Sequence, residues 1–589
     1  MIFLEGENRM NWVTYGVFVP FSIVLLCIAF NQTLREKMMG VKALAAAEGK
    51  LASWDKWYWL FFVLCLGAGI FVRAYRFCEL PKGTNQDGAR GAYESFLLLR
   101  NGVDSFGRSW PTYFEAWKYT NMSTLYSWIC IPFLHFLGNT VFAMRLPSLI
   151  ISVLMMPVLW DLGRRMRGRN FGLLLLFLVA TNPWQMIQSR WAIDANIMPH
   201  VFLLAIYLLY VGLTHRVFLY LSMVFFGLAV YAYGLAAFLV PAFLLPLAIY
   251  LVSTRKVRIY ELIICLVIFA VVSGMYYWTM IINAFGLESV QIGPFTLPFL
   301  KDSHRASEIA LAQEDGIFGM GINVRGVFEM LFELNPDNAP YDAINWAHAM
   351  FRFMPVYYVF GFVWLWRSRR LDVRGKKDTA LRTYSIFMMA FALAAVFAGL
   401  QTGVNIMRIN YLFYSLIILS GYAIYEMGCR IKLTAVFAVV LITLNFVFLC
   451  GDYFGNKAYQ DLVGLNFRSG FFSALKDTWG MDYDKIVIGV SSETEKNVVE
   501  PTVQFAHEID YKALTEETDL TGADGNSTGW YYTERYVYIT DPDSFMPEPM
   551  ACNVYVMYKD KYADKFNPEE YLIYDHDLFF AAYPKYWAE

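Results

Sequence analysis

Residues 433–450 read LTAVFAVVLITLNFVFLC, a run of 18 residues without a charged side chain. A helix needs about 20 mostly apolar residues to cross the hydrocarbon core of a bilayer, so this run predicts a membrane span. Other apolar stretches long enough to cross, or nearly so, begin near residues 12, 57, 141, 171, 197, 217, 236, 259, 351, 382 and 410. Together they predict a polytopic α-helical membrane protein with about 12 spans.

The composition of the 589 residues points the same way, with 57% hydrophobic, 18% aromatic and only 17% charged residues. Soluble domains contain about 25% charged residues, so a chain of soluble domains is excluded. Basic and acidic residues nearly balance, 48 against 50. There is therefore no polycationic surface for nucleic acid and no acidic tail.

The eight cysteines do not form the pattern of a disulfide framework, because six of them lie in or at the ends of apolar runs. Only Cys78 and Cys552 are expected to face water. The sequence has no CxxC motif, so a cysteine zinc site is not expected. Residues 1–10 read MIFLEGENRM and lack the basic region of a signal peptide, so we expect the first apolar segment to be retained as a span.

Basic residues gather in short connectors between the apolar runs, and the positive-inside rule places these connectors in the cytoplasm. The connectors contain Arg35 to Lys56, Arg164 to Arg169, Arg255 to Arg258, Arg367 to Lys377, and residues 429–432. Successive cytoplasmic connectors must be separated by an even number of crossings. This condition is met if the segment Thr124 to Leu137, which contains Pro132 and His135, does not cross fully. We therefore expect a re-entrant or membrane-surface helix there.

This sidedness places four pieces of chain outside the cytoplasm, namely 76–140, 189–196, 283–350 and 451–589. The predicted organisation is an extra N-terminal span with its connector (1–56), a transmembrane domain with 76–140 as its first outer loop (57–450), and an extracytoplasmic α/β domain (451–589). In the last part, strands are predicted at KIVIGV (485–490), YVYIT (536–540) and NVYVMY (553–558), with a helix near 498–508.

The first outer loop contains PKGTNQDGARGAYESFLLLRNGVDSFGRSWP (81–111), in which Asp87 opens a helix-like stretch. Arg90 and Glu94 follow at i+3 and i+7 and fall on the same helix face as Asp87. Gly88 and Gly91 leave the backbone of this stretch uncovered. Asp87 is a candidate catalytic base; the alternative is that it only caps the helix, since Asp is a favoured N-cap residue.

The second outer loop reads TNPWQMIQSRWAIDANIMPH (181–200) and places Arg190 and Asp194 four residues apart at the membrane edge. An i,i+4 ion pair at a helix end is the structural alternative to a functional role. The predicted sidedness puts Asp194 on the same side as Asp87, and an acid near the hydrocarbon boundary is costly unless it is paired or used. Two distant loops that each offer an acid and an arginine form a candidate site.

Arg408 lies between two uncharged spans in QTGVNIMRINY (401–411), with Asn405 and Asn410 beside it. A guanidinium matches phosphate oxygens geometrically, although an arginine at a membrane boundary can also extend its charge into the interface without binding anything. The loop 283–350 adds His304 and Arg305. A lone external histidine is more often a solvated surface group than a ligand.

These motifs, in this order, resemble the polyprenyl-phosphate-sugar-dependent membrane glycosyltransferases of the GT-C fold, close to protein O-mannosyltransferases and the lipid A aminoarabinose transferase. The stretches that carry the resemblance are NQDGARGAYESFLLLRNGVDSFGRSWPTYFEAW (85–117), LYSWICIPFLHFLG (125–138), FAMRLPS (142–148), NPWQMIQSRWAIDANIMP (182–199), VYAYG (230–234) and NIMRIN (405–410).

The resemblance implies a GT-C membrane domain with juxtamembrane helices and a first-loop aspartate that acts as base, a role that falls to Asp87. The family pattern has a glutamate after this aspartate, whereas this chain has Gly88; Glu94 or Glu115 is expected to stand in for it. Relatives carry an acid in the next outer loop, where Asp194 lies. Some relatives bind a divalent metal; the sequence assigns no metal site and no other cofactor.

The expected activity is an inverting transfer of a sugar from a polyprenyl-phosphate donor to a hydroxyl of a glycan, lipid or protein at the outer face of the plasma membrane. Asp87 and Asp194 are the predicted catalytic residues. Arg408, with Arg190 or Arg305, is expected to hold the donor phosphate. Arg90, Glu94, Glu115 and Asn405 are expected to support the site.

Other classes of protein remain open at the level of the sequence: a transporter or flippase, a polysaccharide polymerase, or an inactive receptor that carries the 451–589 domain. Transporters tend to place ionisable residues near the bilayer midplane and to show two repeated halves. Here the spans are largely uncharged, no repeat is apparent, and the polar groups lie in the outer loops. These features favour surface chemistry over passage.

Overall fold

A computed structural model describes residues 13–51, 56–116, 120–300, 316–332, 339–371, 404–515 and 535–588. The span predicted near residue 382 and the predicted phosphate ligand Arg305 lie outside these ranges. Within them, all eight cysteines are free thiols.

The chain begins with helices that bend sharply. A π-helical turn, Thr14–Phe18, leads into α1 (Val19–Phe30), and this unit meets α2 (Gln32–Met39) at 90°. After α3 (Lys42–Leu51) the chain returns to the helical body. Glu48 accepts the backbone N–H groups of Lys432 (2.7 Å) and Leu433 (2.9 Å). This carboxylate therefore lies at the start of the helix Lys432–Gly455, where the helix dipole favours negative charge.

The body of the protein is a bundle of helices joined by short turns. Its helices are α4 (Tyr58–Ala74), α5 (Gln86–Asn101), α6 (Leu125–Leu137), α7 (Val141–Arg167), α8 (Arg169–Ala180), α9 (Pro183–Gln188), α10 (Met198–Gly212), α11 (Arg216–Ala232), α12 (Ala236–Ser253), α13 (Ile259–Phe285), α14 (Gly316–Leu331), α15 (Met354–Leu371), α16 (Ile406–Ile409), α17 (Phe413–Arg430) and α18 (Lys432–Gly455).

Six helices in the described ranges are long and apolar enough to cross a membrane, or up to seven if the bent N-terminal pair is one span. Four shorter apolar helices, α4, α8, α11 and the first part of α15, begin close to predicted spans, so the predicted number of about 12 spans stays a prediction. Helix α6 has 13 residues. At 1.5 Å per residue it is about 20 Å long, shorter than the roughly 30 Å hydrocarbon core. That this segment does not cross stays a prediction.

Residues after α18 form helices around a five-stranded sheet. The strands are β5 (Lys485–Gly489), β6 (Tyr536–Ile539), β7 (Asn553–Tyr558), β8 (Tyr571–His576) and β9 (Phe579–Pro584), in the order β6-β5-β7-β9-β8. Strand β5 is parallel to β6 and β7, whereas the β7–β9 and β8–β9 pairs are antiparallel. The helices are α19 (Lys457–Asn466), α20 (Phe471–Thr478), α21 (Glu493–His507), α22 (Tyr511–Thr515), α23 (Lys559–Tyr562) and α24 (Lys585–Ala588).

The three predicted strands are confirmed, and the helix predicted near 498–508 is α21, which begins several residues earlier. The hairpin of β8 and β9 was not predicted. Two further hairpins lie in the loops that the sequence predicts as outer loops: β1 (Phe114–Ala116) with β2 (Thr120–Met122), and β3 (Val290–Ile292) with β4 (Phe295–Leu297).

Helix α5, which carries Asp87, is fastened to the chain that follows the last long helix. Arg90 donates to the Gln504 side chain of α21 (3.1 Å), and the Tyr93 hydroxyl donates to the carbonyl of Ile509 (2.8 Å). About two turns further along α5, Asn101 donates to Asp510 (3.2 Å). The C-terminal part of the chain thus fixes the position of the helix on which the predicted base lies.

Candidate functional site

The first turn of α5 positions Asp87. The side chain of Asn85 accepts the backbone N–H groups of Asp87 (2.9 Å) and Gly88 (3.2 Å), so Asn85 is the N-cap of the helix. The interpretation of Asp87 as the cap is therefore wrong. Asp87 is the second helical residue and is half-buried, at the helix end whose dipole favours a carboxylate.

Gly88 brings this turn against the second outer loop. A Cβ atom at residue 88 would lie 2.4 Å from the carbonyl oxygen of Ala192 and 3.1 Å from the Ala192 Cβ. Only glycine permits this approach. A glutamate at this position, as in the family pattern, would not fit, because the loop leading to Asp194 occupies the space.

Asp194 lies in a 3-10 turn, Asp194–Asn196, and is buried. Its Oδ2 accepts the backbone N–H of Ser123 (3.2 Å), and its Oδ1 accepts the N–H of Ala195 (2.7 Å). The carboxylate therefore joins the chain after β2 to the second outer loop. The i,i+4 ion pair with Arg190 that the spacing suggested does not occur among these contacts, since Arg190 is directed elsewhere.

Arg190 is fully buried and its guanidinium caps the C-terminal end of α4. It donates to the carbonyl oxygens of Val72 (2.9 Å), Arg73 (2.8 Å), Tyr75 (2.7 Å) and Leu80 (3.3 Å). The first three lie at the end of α4, where carbonyls lack intrahelical donors, and Leu80 belongs to the turn that follows. We therefore assign Arg190 to holding the helix end and the turn after it, and not to a lipid phosphate as the sequence suggested.

The turn that carries Arg408 meets the same loop. Asn405 caps α16 and accepts the backbone N–H of Arg408 (2.8 Å). Asn410 donates to the carbonyl of Ala195 (2.9 Å). Arg408 is half-buried. The turns of Asp87 and Arg408 thus both contact residues 192–195, and the sequence-predicted groups Asp87, Asp194 and Arg408 come from three touching turns.

Arg90 and Glu94 form a buried ion pair behind Asp87. Arg90 Nη2 lies 2.8 Å from Glu94 Oε1, and both side chains are almost fully inaccessible to solvent. Glu94 also accepts the backbone N–H (3.0 Å) and the hydroxyl (2.6 Å) of Ser105. Glu94 therefore holds the chain that follows α5. Glu115 is likewise paired with Arg108 at 2.7 Å, so neither acid is placed to replace the missing family glutamate.

Asp104 belongs to this buried cluster and was not singled out from the sequence. Its Oδ1 accepts the backbone N–H groups of Phe106 (2.9 Å) and Arg108 (2.7 Å). Burial, and then the neighbouring charge of Glu94, raise the pKa of Asp104 to about 7. An aspartate in NGVDSFG is typical of a turn, and nothing in that pattern shows that the turn folds into the interior.

Within the described ranges, no three His, Cys, Asp or Glu side chains come together in a group that could hold a metal ion. We therefore derive no chemical step through a metal ion.

Comparison with known proteins gives a family and a fold. The family described as Dolichyl-phosphate-mannose-protein mannosyltransferase matches residues 122–278, which include Asp194 but not Asp87. No curated protein sequence matches the chain.

Among solved structures, the crystal structure of ArnT from Cupriavidus metallidurans bound to undecaprenyl phosphate shares 12% identity with a TM-score of 0.53 and covers 90% of this chain and 98% of that one. The apo crystal structure of the Archaeoglobus fulgidus oligosaccharyltransferase shares 12% identity with a TM-score of 0.44 and covers 77% of this chain and 64% of that one.

At 12% identity the ArnT likeness concerns the fold. The matched family segment and this shared fold confirm the resemblance drawn from the sequence: the chain is a membrane enzyme of the glycosyltransferase type with the GT-C fold.

Proposed function

We propose that the protein transfers a sugar from a polyprenyl-phosphate donor to an acceptor hydroxyl, with inversion at the anomeric carbon, at the outer face of the membrane. The observation that carries the proposal is the contact of Gly88 with Ala192. It puts Asp87, from the first outer loop, beside the turn that begins at Asp194. Two acids about a hundred residues apart in the sequence thereby serve one site.

In this proposal Asp87 is the general base. It takes the proton of the acceptor hydroxyl while that oxygen attacks the anomeric carbon, and the bond from this carbon to the lipid phosphate breaks. Because base and leaving phosphate lie on opposite faces of the sugar, the configuration inverts. The position of Asp87 at a helix N-terminus favours the ionised form that a base needs.

Asp194 has a different role, because both of its oxygens already accept backbone N–H groups. A carboxylate held in this way is a fixed negative charge. In glycosyl transfer, positive charge develops at the anomeric carbon and ring oxygen, and a fixed carboxylate near them stabilises it. We therefore give Asp194 electrostatic stabilisation and leave proton transfer to Asp87.

Arg408 is the proposed phosphate ligand. Its backbone is fixed by Asn405, and its turn is tied to the Asp194 turn through Asn410. A guanidinium there neutralises charge that grows on the departing phosphate. Arg305 keeps its predicted part as a second phosphate ligand. The ArnT structure that shares the fold contains undecaprenyl phosphate, which supports a lipid phosphate of this chemical class as donor.

The test is the rate of sugar transfer by the purified protein in lipid nanodiscs, supplied with undecaprenyl-phosphate-linked sugars. General-base catalysis contributes roughly 10² to 10⁴ in rate, so Asp87→Asn should lose at least about a hundredfold in turnover. Asp564→Asn, a change at an exposed acid far along the chain, is the matched control and should retain the wild-type rate.

Transfer by Asp87→Asn at near the wild-type rate would contradict the proposed base. Movement of the intact donor lipid across the membrane, without transfer of its sugar, would instead support the flippase alternative.

A further inference from the structure

The hairpin β1–β2 has one apolar and one polar face. Its register pairs Phe114 with Met122 and Glu115 with Asn121. Phe114 and Met122 are buried, and Met122 packs against Gly91 of α5. Because side chains alternate along a strand, Glu115 and Asn121 lie on the opposite face. Ser123 continues the polar side one residue beyond β2.

This polar face is buried, yet several of its polar atoms have no hydrogen-bond partner. Asn121 is 8% exposed and Ser123 is 0% exposed. Among the described residues, the side-chain oxygens of Asn121 and Ser123 and one terminal nitrogen of Arg108 make no hydrogen bond. Buried polar atoms are nearly always hydrogen-bonded in folded proteins. The two oxygens on this face, together with the nitrogen of Arg108, which is paired with Glu115 of the same face, indicate groups that are kept for a ligand.

The face adjoins the proposed catalytic site. The backbone N–H of Ser123 donates to Asp194 (3.2 Å). The Ser123 side chain therefore belongs to a residue that contacts this carboxylate directly. Asn121 lies two residues before it on the same side. A ligand that reaches these atoms is in reach of the Asp194 turn.

The chemistry of the face selects its ligand. Glu115 neutralises Arg108 through a 2.7 Å ion pair, and the partnerless amide oxygen of Asn121, which can only accept, would repel a phosphate. Sugar hydroxyls both donate and accept hydrogen bonds, so they suit an amide oxygen, a hydroxyl and a guanidinium nitrogen together. We propose that Asn121, Ser123 and Arg108 bind the hydroxyl groups of the donor sugar. This inference rests on the proposed function and deepens it.

The test compares the binding of two classes of lipid to the full-length protein in nanodiscs, measured by native mass spectrometry. The first probe is undecaprenyl phosphate, and the second is a set of undecaprenyl phosphates that carry mannose, glucose or 4-amino-arabinose. Wild type should bind one sugar-bearing lipid more tightly than undecaprenyl phosphate. Asn121→Ala and Ser123→Ala should each weaken that lipid about fivefold or more and leave undecaprenyl phosphate unchanged.

A thermal measurement separates binding from folding. Removing a buried atom that lacks a partner does not cost a hydrogen bond, so both variants should keep or slightly raise the melting temperature without ligand. Asn466→Ala, at an exposed asparagine outside the site, is the matched control and should leave both lipids unchanged.

Three results would overturn the inference: no sugar-bearing lipid preferred by wild type, equal loss of both lipid classes in the variants, or a lowered melting temperature with unchanged lipid selectivity. Failure of the proposed function looks different, because wild type would then transfer no sugar from any of these lipids in the transfer assay, whichever lipid it binds.

Discussion

Adding one methyl group at Gly88 should separate the two acids of the proposed site. In Gly88→Ala the new Cβ would lie 2.4 Å from the Ala192 carbonyl oxygen, whereas ordinary contact begins at 3.4 Å. The first turn of α5 and the second outer loop must therefore move apart by about 1 Å. The backbone of residue 88 fixes the position of its Cβ, and the Ala192 oxygen is itself a backbone atom, so no side-chain rotation can relieve the overlap.

The expected size of the effect follows from this displacement. Overpacking of a buried contact costs about 1–3 kcal/mol, and alanine regains about 0.5–1 kcal/mol over glycine inside a helix. The net loss in the free energy of unfolding should be about 1–2 kcal/mol. A 1 Å displacement of a catalytic group can cost about a hundredfold in rate, so turnover should fall far more than stability.

The assay measures sugar transfer and thermal unfolding of the same nanodisc samples. Gly274→Ala is the control, because a Cβ there meets no atom within 4 Å. It should transfer at the wild-type rate and be as stable as wild type or slightly more so. If Gly88→Ala keeps both wild-type turnover and wild-type stability, the two loops do not meet as described and the reasoning fails.

Four other changes test separate parts of the account. Arg408→Ala should mainly weaken donor binding, seen as a raised KM for the lipid-linked sugar; an unchanged donor dependence would remove it from the site. Arg190→Met leaves four buried carbonyls without their donor and should cost about 3 kcal/mol or more of stability, with donor affinity per folded molecule unchanged; weakened affinity in folded protein would restore it as a ligand. The pKa of Asp104 is raised to about 7, so the folded state holds an extra proton between about pH 4 and 7. The free energy of unfolding therefore falls as pH rises through that window, and Asp104→Asn should remove the corresponding fall in melting temperature. Burial lowers the pKa of His507 to about 4, so the unfolded state binds the extra proton and stability falls as pH drops from about 6.5 to 4. His507→Gln should flatten this dependence of melting temperature on pH, and an unchanged dependence would show that another group titrates.

The elements that depend on local pattern were predictable from the sequence. Apolar runs marked the long helices, and short runs of β-branched and aromatic residues marked β5, β6 and β7. The turn of Asp87 was also recognisable as a helix start. Its cap was misassigned because Asn85, two residues earlier, has the same capping chemistry and only the structure shows which side chain receives the backbone N–H groups.

The features that depend on long-range contact were not predictable. From the sequence, Gly88 is a position where the glutamate of the family pattern is missing. The structure explains the glycine by the carbonyl of Ala192, about a hundred residues away in the chain, which leaves no room for a side chain. Arg190 was expected to help Arg408 hold the donor phosphate, but both terminal nitrogens of its guanidinium donate to carbonyls at and just after the end of α4. Whether an arginine binds a ligand or caps a helix end depends on its neighbours in space, and the local sequence pattern does not identify them.

The most direct measurement is an electron cryo-microscopy structure of the protein in nanodiscs with undecaprenyl phosphate bound. The account predicts the phosphate in contact with Arg408, with Asp87 and Asp194 facing the same cavity beside it. A phosphate bound away from Arg408, or the two acids facing separate cavities, would contradict the proposed transfer site.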